Sequence, residues 1–166
     1  MVNAAQTAPA QSVARNASPR SSRMLVFITL LSGMLVVAPL FALGKITPGF
    51  SLLAIILFLP YVVVCWRLLR MPGTKEGPGL AFGIGLTFIL LGSLVCAVNV
   101  DQRDYLRLAY SCALVAVHVL LAAPGIVRFR EGTSKKPAWR VMVRSIVDPV
   151  AYYGIVLFLA LGAHIH

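Results

Sequence analysis

Apolar residues in this chain come in five long runs that are separated by short polar segments. The runs occupy residues 24–43, 48–69, 78–98, 105–123 and 149–163. An α-helix needs roughly 20 residues to cross ~30 Å of hydrocarbon, and the fifth run is near the lower limit of this length. Because a backbone in lipid must satisfy its own hydrogen bonds, each run is predicted to be helical. The sequence therefore predicts an all-α, polytopic transmembrane helix bundle with about five spans, or with four spans and a re-entrant or interfacial fifth segment.

Prolines and capping residues refine these boundaries. Pro39 and Pro60 lie inside the first and second runs. Pro39 is a candidate kink near the far end of the first helix. Pro60 is expected to bend the second helix, and a neighbouring helix, a hydroxyl group or water must satisfy the carbonyl that it frees. Asp101 or Asp104 is expected to cap the fourth helix, and Pro124-Gly125 to end it.

The segment before the fifth run, about residues 138–147, is amphipathic. Trp139, Met142 and Ile146 share one side of a helical wheel, while Arg140 and Arg144 lie on the other. This pattern is typical of a short helix in the lipid headgroup plane. Asp148-Pro149 is then expected to end it and to begin a separate membrane helix.

The domain organisation is predicted to be simple. Residues 1–23 contain no acid and are rich in Ala, Ser, Gln and Pro, which predicts a flexible, basic amino-terminal tail. The same composition also resembles a transit peptide. Residues 24–166 are predicted to form a single transmembrane helical domain with no internal repeat.

Composition and charge support a membrane environment and predict an orientation. Hydrophobic residues make up 59% of the chain and charged residues 12%, against about 25% charged residues in a soluble domain. The net charge of +10 is therefore attributed to basic loops that orient the protein in the membrane. No nucleic-acid partner is expected. Twelve of the 15 Lys and Arg residues fall in the tail and the second and fourth loops, against Lys45, Arg103 and Arg107 on the other side. This split predicts a multi-pass protein of the bacterial inner membrane, with a cytoplasmic amino terminus and an external carboxyl terminus.

Two sets of residues are predicted to make contacts with lipid and with other helices. Cations of the fourth loop are expected to contact lipid headgroups: Arg128, Arg130, Lys135, Lys136, Arg140 and Arg144. Small residues of the third run are expected to form a helix-packing face: Gly79, Gly83, Gly85 and Gly92. The expected partners are membrane lipids and other membrane protein subunits, or a second copy of this chain.

His118 and Asp148 are the candidate polar site within the membrane. An ionisable residue in a span is costly and is a functional candidate by default. If the two side chains lie at neighbouring depths, they could relay a proton or orient a ligand, whereas the alternatives are a packing histidine and a capping aspartate. The sequence identifies no cofactor and no metal site: a bis-histidine haem would need His164 or His166, which are predicted to lie at the opposite membrane face.

The three cysteines are interpreted as small apolar side chains. They have no metal-ligand spacing, and Cys65, Cys96 and Cys112 all lie inside apolar runs, so no redox role is expected. In a regular hairpin, Cys96 is expected to lie nearer the tip than Cys112, which is a poor geometry for a bridge.

No catalytic motif is present, so the sequence gives no reason to expect an enzyme. Two function classes fit the pattern. The first is an integral membrane accessory or scaffold subunit that packs against other membrane proteins or against lipid- or cofactor-bearing partners. The alternative is a small oligomeric transporter or channel, whose polar path would have to come from a small set of residues: Ser32, Thr87, Ser93, Ser111 and His118. A haem- or quinone-binding electron-transfer anchor is a weaker third interpretation.

Overall fold

Five helices account for nearly all of the described chain. A computed structural model describes residues 19–42, 48–71, 74–132 and 137–162. In chain order the helices are α1 (Pro19–Ala42), α2 (Pro48–Arg70), α3 (Glu76–Asp101), α4 (Tyr105–Gly132) and α5 (Pro137–Gly162). Each is long and apolar enough to cross a membrane. The prediction of an all-α bundle with five potential spans is confirmed, and the chain is that of a multi-pass membrane protein.

Two predicted helix ends are corrected. The fourth helix continues through Pro124 to Gly132, and α5 is one helix in which Pro149 is an interior residue. A proline removes a single N–H, and ending a helix inside hydrocarbon would free many more backbone groups. The predicted amphipathic segment and the predicted fifth run therefore form one helix. The predicted tail is also too long at its end, because residues 19–23 belong to α1; residues 1–18 lie outside the described residues.

The third helix is at the centre of the bundle. It packs along α4 most extensively, and also against α5 and α2, whereas α1 packs on α2 and α4. Buried side chains from all five helices meet around it. These are Leu25, Tyr61, Val64, Leu68, Ala81, Ile84, Leu121 and Tyr153.

The outer surface of the bundle is apolar. Leu106 and Phe158, for example, are 83% and 77% exposed. Large exposed apolar side chains on every helix are costly in water, whereas they are the expected surface for contact with lipid.

The turn between α3 and α4 sets the register of these two helices. Arg103 has a φ of 56°, and the N–H groups of Arg103 and Asp104 donate to the carbonyls of Val100 and Asn99. This is the Schellman arrangement, which usually has glycine at the left-handed position. The Asp104 carboxylate accepts a bond of 3.1 Å from the Arg107 N–H, so Asp104 rather than Asp101 caps α4.

At the other end of the bundle, α4 contacts the turn between α2 and α3. Arg128 donates a hydrogen bond of 2.9 Å to the Thr74 carbonyl, and Arg67 pairs with Glu76 across the same turn. The basic ends of α2 and α4 therefore lie at one end of the bundle, as antiparallel packing of successive helices requires.

Candidate functional site

His118 is fully buried on α4 and is bonded through both ring nitrogens. Nδ1 lies 2.8 Å from the Leu114 carbonyl, to which it donates because a carbonyl can only accept. Nε2 lies 2.8 Å from the Tyr61 hydroxyl on α2. In the neutral imidazole Nε2 is therefore an acceptor and Tyr61 donates, so the pair joins α2 to α4 in the interior of the bundle.

Aromatic rings surround this pair. The centroid of the Phe88 ring, on α3, lies 4.9 Å from the centroid of the His118 ring. It also lies 4.9 Å from the centroid of the Tyr153 ring, which Phe88 meets edge to face. Tyr153 also donates a bond of 3.4 Å to the Leu57 carbonyl. The buried polar pair thus packs against Phe88 of α3, which in turn packs against Tyr153 of α5.

The structure places Asp148 elsewhere. Its carboxylate is exposed and lies 3.4 Å from the Arg144 guanidinium, one turn earlier on α5. His118 and Asp148 therefore have different partners, and Tyr61 is the neighbour that the sequence did not identify. His164 and His166 lie outside the described residues, and the described parts of the chain contain no cluster of three potential metal ligands.

Two prolines free carbonyl groups that tyrosines of other helices satisfy. In a regular helix the N–H of residue 39 would donate to Leu35, and that of residue 60 to Ile56. The Tyr110 hydroxyl of α4 donates to the Leu35 carbonyl. On α5, the Tyr152 hydroxyl donates a bond of 2.7 Å to the Ile56 carbonyl. For Pro60, the expectation that a neighbouring helix, a hydroxyl group or water satisfies the freed carbonyl is confirmed, and the donor is a tyrosine hydroxyl. Tyr110 does the same beside Pro39, for which the sequence predicted only a kink.

A third proline-freed carbonyl packs directly on a glycine. Pro149 cannot donate to the Ser145 carbonyl, and a Cβ built on Gly83 would lie 1.7 Å from that oxygen. The carbonyl therefore lies against the α-carbon of Gly83, an approach typical of Cα–H···O contacts between membrane helices. This contact brings α5 against α3.

The remaining predicted packing glycines are also buried in α3. A Cβ on Gly85 would lie 2.8 Å from the His118 carbonyl, and a Cβ on Gly92 would lie 2.6 Å from Val115. Both positions therefore set the close approach of α3 and α4. Gly79 is buried near the start of α3.

An apolar groove of about 770 Å³ lies between α1, α3 and α4. Phe88, which contacts His118, forms its inner end, and Asn99 and Arg107 lie at its end near the turn. Most of its lining is apolar. The lining residues are Ala38, Pro39, Phe88, Leu91, Gly92, Val95, Asn99, Leu106, Arg107, Tyr110, Ser111 and Leu114.

The polar end of the groove is built from buried groups. Asn99 and Ser111 are each 5% exposed, and the Asn99 amide donates a bond of 3.3 Å to the Ser111 hydroxyl. An amide has two N–H donors and one accepting oxygen, so Asn99 retains hydrogen-bonding capacity toward the groove. The neighbouring Arg107 is paired with Asp104 at 3.1 Å, which makes this end close to neutral.

The other buried hydroxyls bond within their own helices. Each donates to the carbonyl four residues earlier, as in the bonds from Thr29 to Leu25 and from Thr87 to Gly83. Three buried serines make the same bond, Ser32, Ser111 and Ser145, and so does the exposed Ser93. These hydroxyl protons do not point along a shared path between helices.

The predicted lipid-contacting cations lie near the α4–α5 junction. Arg128 is partly buried against the turn between α2 and α3, whereas Arg130, Arg140 and Arg144 are exposed. Lys135 and Lys136 lie outside the described residues. The four described arginines of this set thus lie near the end of the bundle opposite the turn between α3 and α4.

The expectation for the cysteines is wrong in one respect. The sulfur atoms of Cys96 and Cys112 lie 3.8 Å apart, although hairpin symmetry placed them at different depths. The turn around Arg103 shifts the register, so that Asn99 faces Ser111 and Gly92 faces Val115. Cys96 and Cys112 lie between these two contacts.

Comparison with protein families, curated proteins and solved structures gives no match for this chain. The site therefore has to be interpreted from its own geometry. Sequence reasoning identified His118 but missed Tyr61, Asn99 and the groove. The sequence signal for helix packing was the presence of tyrosines in the later spans. Tyr110 and Tyr152 donate hydroxyl groups to carbonyls that prolines on other helices leave free.

Proposed function

We propose that this chain is an accessory or scaffold subunit of a membrane protein complex, and that its α1–α3–α4 groove holds one long-chain amphiphile. The observation that carries the proposal is the groove itself, which is apolar along its length and has the buried amide of Asn99 at one end. Its volume of about 770 Å³ lies within the usual range for ligand pockets.

The length of the groove favours a lipid-like occupant. Its lining on α3 extends from Phe88 to Asn99, which is about 16 Å at 1.5 Å per residue. That length is about half of the ~30 Å hydrocarbon core, so it matches the acyl chain of a lipid in one leaflet. The end of a bound acyl chain would lie beside Phe88, at the inner end of the groove.

The polar end of the groove favours an uncharged hydrogen-bonding head group. Asn99 can donate to a carbonyl or accept from a hydroxyl, whereas the positive charge of Arg107 is offset by Asp104. The head group is therefore proposed to be a neutral carbonyl or hydroxyl group. It would lie beside the turn between α3 and α4.

The bonding of the buried hydroxyls favours a scaffold over a conducting path. A path for ions or polar solutes needs polar groups that face a common lumen. In the described helices the hydroxyl protons of Thr29, Thr87 and Ser145 are directed to their own backbones. The apolar outer faces suit contact with lipid or with helices of a larger partner.

Purification in mild detergent tests the proposal. Native mass spectrometry should detect a stoichiometric complex with a larger membrane protein and one retained amphiphile per copy of this chain. A homo-oligomer that conducts solute into liposomes would contradict the proposal. A Soret band from bound haem would contradict it as well.

We further propose that the protein lies in a bacterial inner membrane with its amino terminus in the cytoplasm and its carboxyl terminus outside. The support is the excess of Lys and Arg in alternate loops. In a variant without native cysteines, a cysteine at Lys45 should react with an impermeant maleimide on intact cells, and one at Lys135 only after permeabilisation. Reaction of both on intact cells would contradict this orientation.

A further inference from the structure

Cys96 of α3 and Cys112 of α4 form a contact pair within the α3–α4 interface. Their sulfur atoms are 3.8 Å apart, and both thiols are free. A disulfide needs about 2.05 Å between the sulfurs. The pair therefore needs a short closing movement to form a bond.

The surrounding contacts hold the two sulfur atoms in register. On one side Asn99 donates to Ser111, and on the other Gly92 packs against Val115. These contacts fix the position of α3 relative to α4 along the helix axes. Because neither helix can slide freely, the two cysteines face each other as a stable feature of the interface.

Access to the pair differs from access to the third cysteine. Cys112 is exposed on the bundle surface and Cys96 is partly exposed, whereas Cys65 is buried on α2. The Cys65 thiol lies 3.9 Å from the Val26 carbonyl. An oxidant that approaches from the lipid can therefore reach Cys112 before it reaches Cys65.

We propose that Cys96 and Cys112 are a reversible dithiol–disulfide pair that links α3 to α4, with a lipid-soluble quinone as the oxidant. Both cysteines lie within helix segments long and apolar enough to span the membrane, which is why the oxidant must enter from lipid. In the step two S–H bonds break and one S–S bond forms. Two electrons and two protons pass to the quinone, which becomes the quinol.

The test uses the full chain in lipid nanodiscs. The protein is reduced, freed of reductant and treated with tetramethylbenzoquinone, whose fully substituted ring disfavours addition of thiols. It is then denatured and alkylated with N-ethylmaleimide, and the labels are counted by intact mass. The unmodified chain, with its three cysteines, should take up all three labels before oxidation and only one after it.

Single-cysteine variants identify the pair. Cys65→Ser should fall from two labels to none on oxidation, because the bridging pair is intact. Cys96→Ser and Cys112→Ser should retain both of their labels, and dithiothreitol should restore the lost labels in the unmodified chain. Retention of all three labels after quinone treatment would overturn the proposal, as would a bridge between two chains on a non-reducing gel.

Discussion

The central helix α3 and the peripheral helix α1 contact α4 by different means. Gly83, Gly85 and Gly92 of α3 allow the backbones of α5 and α4 to approach closely. By contrast, α1 is joined to α4 through the Tyr110 hydroxyl. Close backbone approach fills the space between helices, whereas a long side chain can hold two helices together and leave room beside them. The groove lies where α1 meets α3 and α4, and Tyr110 and Pro39 are both in its lining.

The largest expected effect is at Gly83. A Gly83→Ala substitution would place a methyl group 1.7 Å from the Ser145 carbonyl oxygen, and a backbone atom cannot rotate away. We expect the free energy of unfolding in mixed micelles to fall by about 3 kcal/mol. Gly154→Ala is the matched control, since its Cβ would meet nothing within 4 Å. Equal stability of the two variants would contradict the close packing of α3 and α5.

The next effect concerns the buried tyrosine–histidine pair. Tyr61→Phe leaves Nε2 of His118 without its donor in a fully buried position. We expect a loss of about 1–2 kcal/mol in the free energy of unfolding. Tyr105→Phe is the control because Tyr105 is 74% exposed. A similar change in both variants would show that the internal bond has no special role.

A smaller effect tests whether a tyrosine compensates for a proline. Tyr152→Phe removes the bond to the Ile56 carbonyl and should cost about 0.6–1.7 kcal/mol. In a Pro60→Ala background the new N–H of residue 60 satisfies that carbonyl, so the same substitution should cost much less. A double-mutant cycle measures this difference. Additive effects of the two substitutions would contradict the compensation.

The smallest expected effect is a stabilisation at the turn. Arg103 has a φ of 56°, a conformation that glycine adopts without strain. Arg103→Gly should therefore raise the free energy of unfolding by about 1 kcal/mol. Gln102→Gly, at a φ of −76°, should not be stabilising. A fall in stability for Arg103→Gly would show that its side chain contributes more than the turn geometry indicates.

The sequence predicted the features that depend on composition and local spacing. The five apolar runs predicted five helices, and Asp104 was one of two predicted caps for α4. Pro124 and Asp148-Pro149 are typical of helix boundaries in water, and for that reason the sequence pattern predicts helix ends there. In a lipid-embedded bundle the helix continues through each proline, and at Pro149 Gly83 of another helix packs on the freed carbonyl.

The candidate site was less predictable because it depends on register between helices. His118 was identified from its position in a span, but its partner Tyr61 is 57 residues away in the chain. The contact between Cys96 and Cys112 depends on the turn at Arg103, whose left-handed conformation is unusual for arginine. The groove depends on how α1, α3 and α4 pack, which a single sequence does not specify.

Binding of an amphiphile in the groove is tested most directly by one pair of substitutions. Val95 lines the groove, whereas Val98 lies on the same helix outside it with similar exposure, 48% and 47%. Native mass spectrometry should show that Val95→Trp lowers the fraction of chains with a bound amphiphile by about tenfold or more, equivalent to at least 1.4 kcal/mol, while Val98→Trp retains it. Equal occupancy in the two variants would contradict a binding site in this groove.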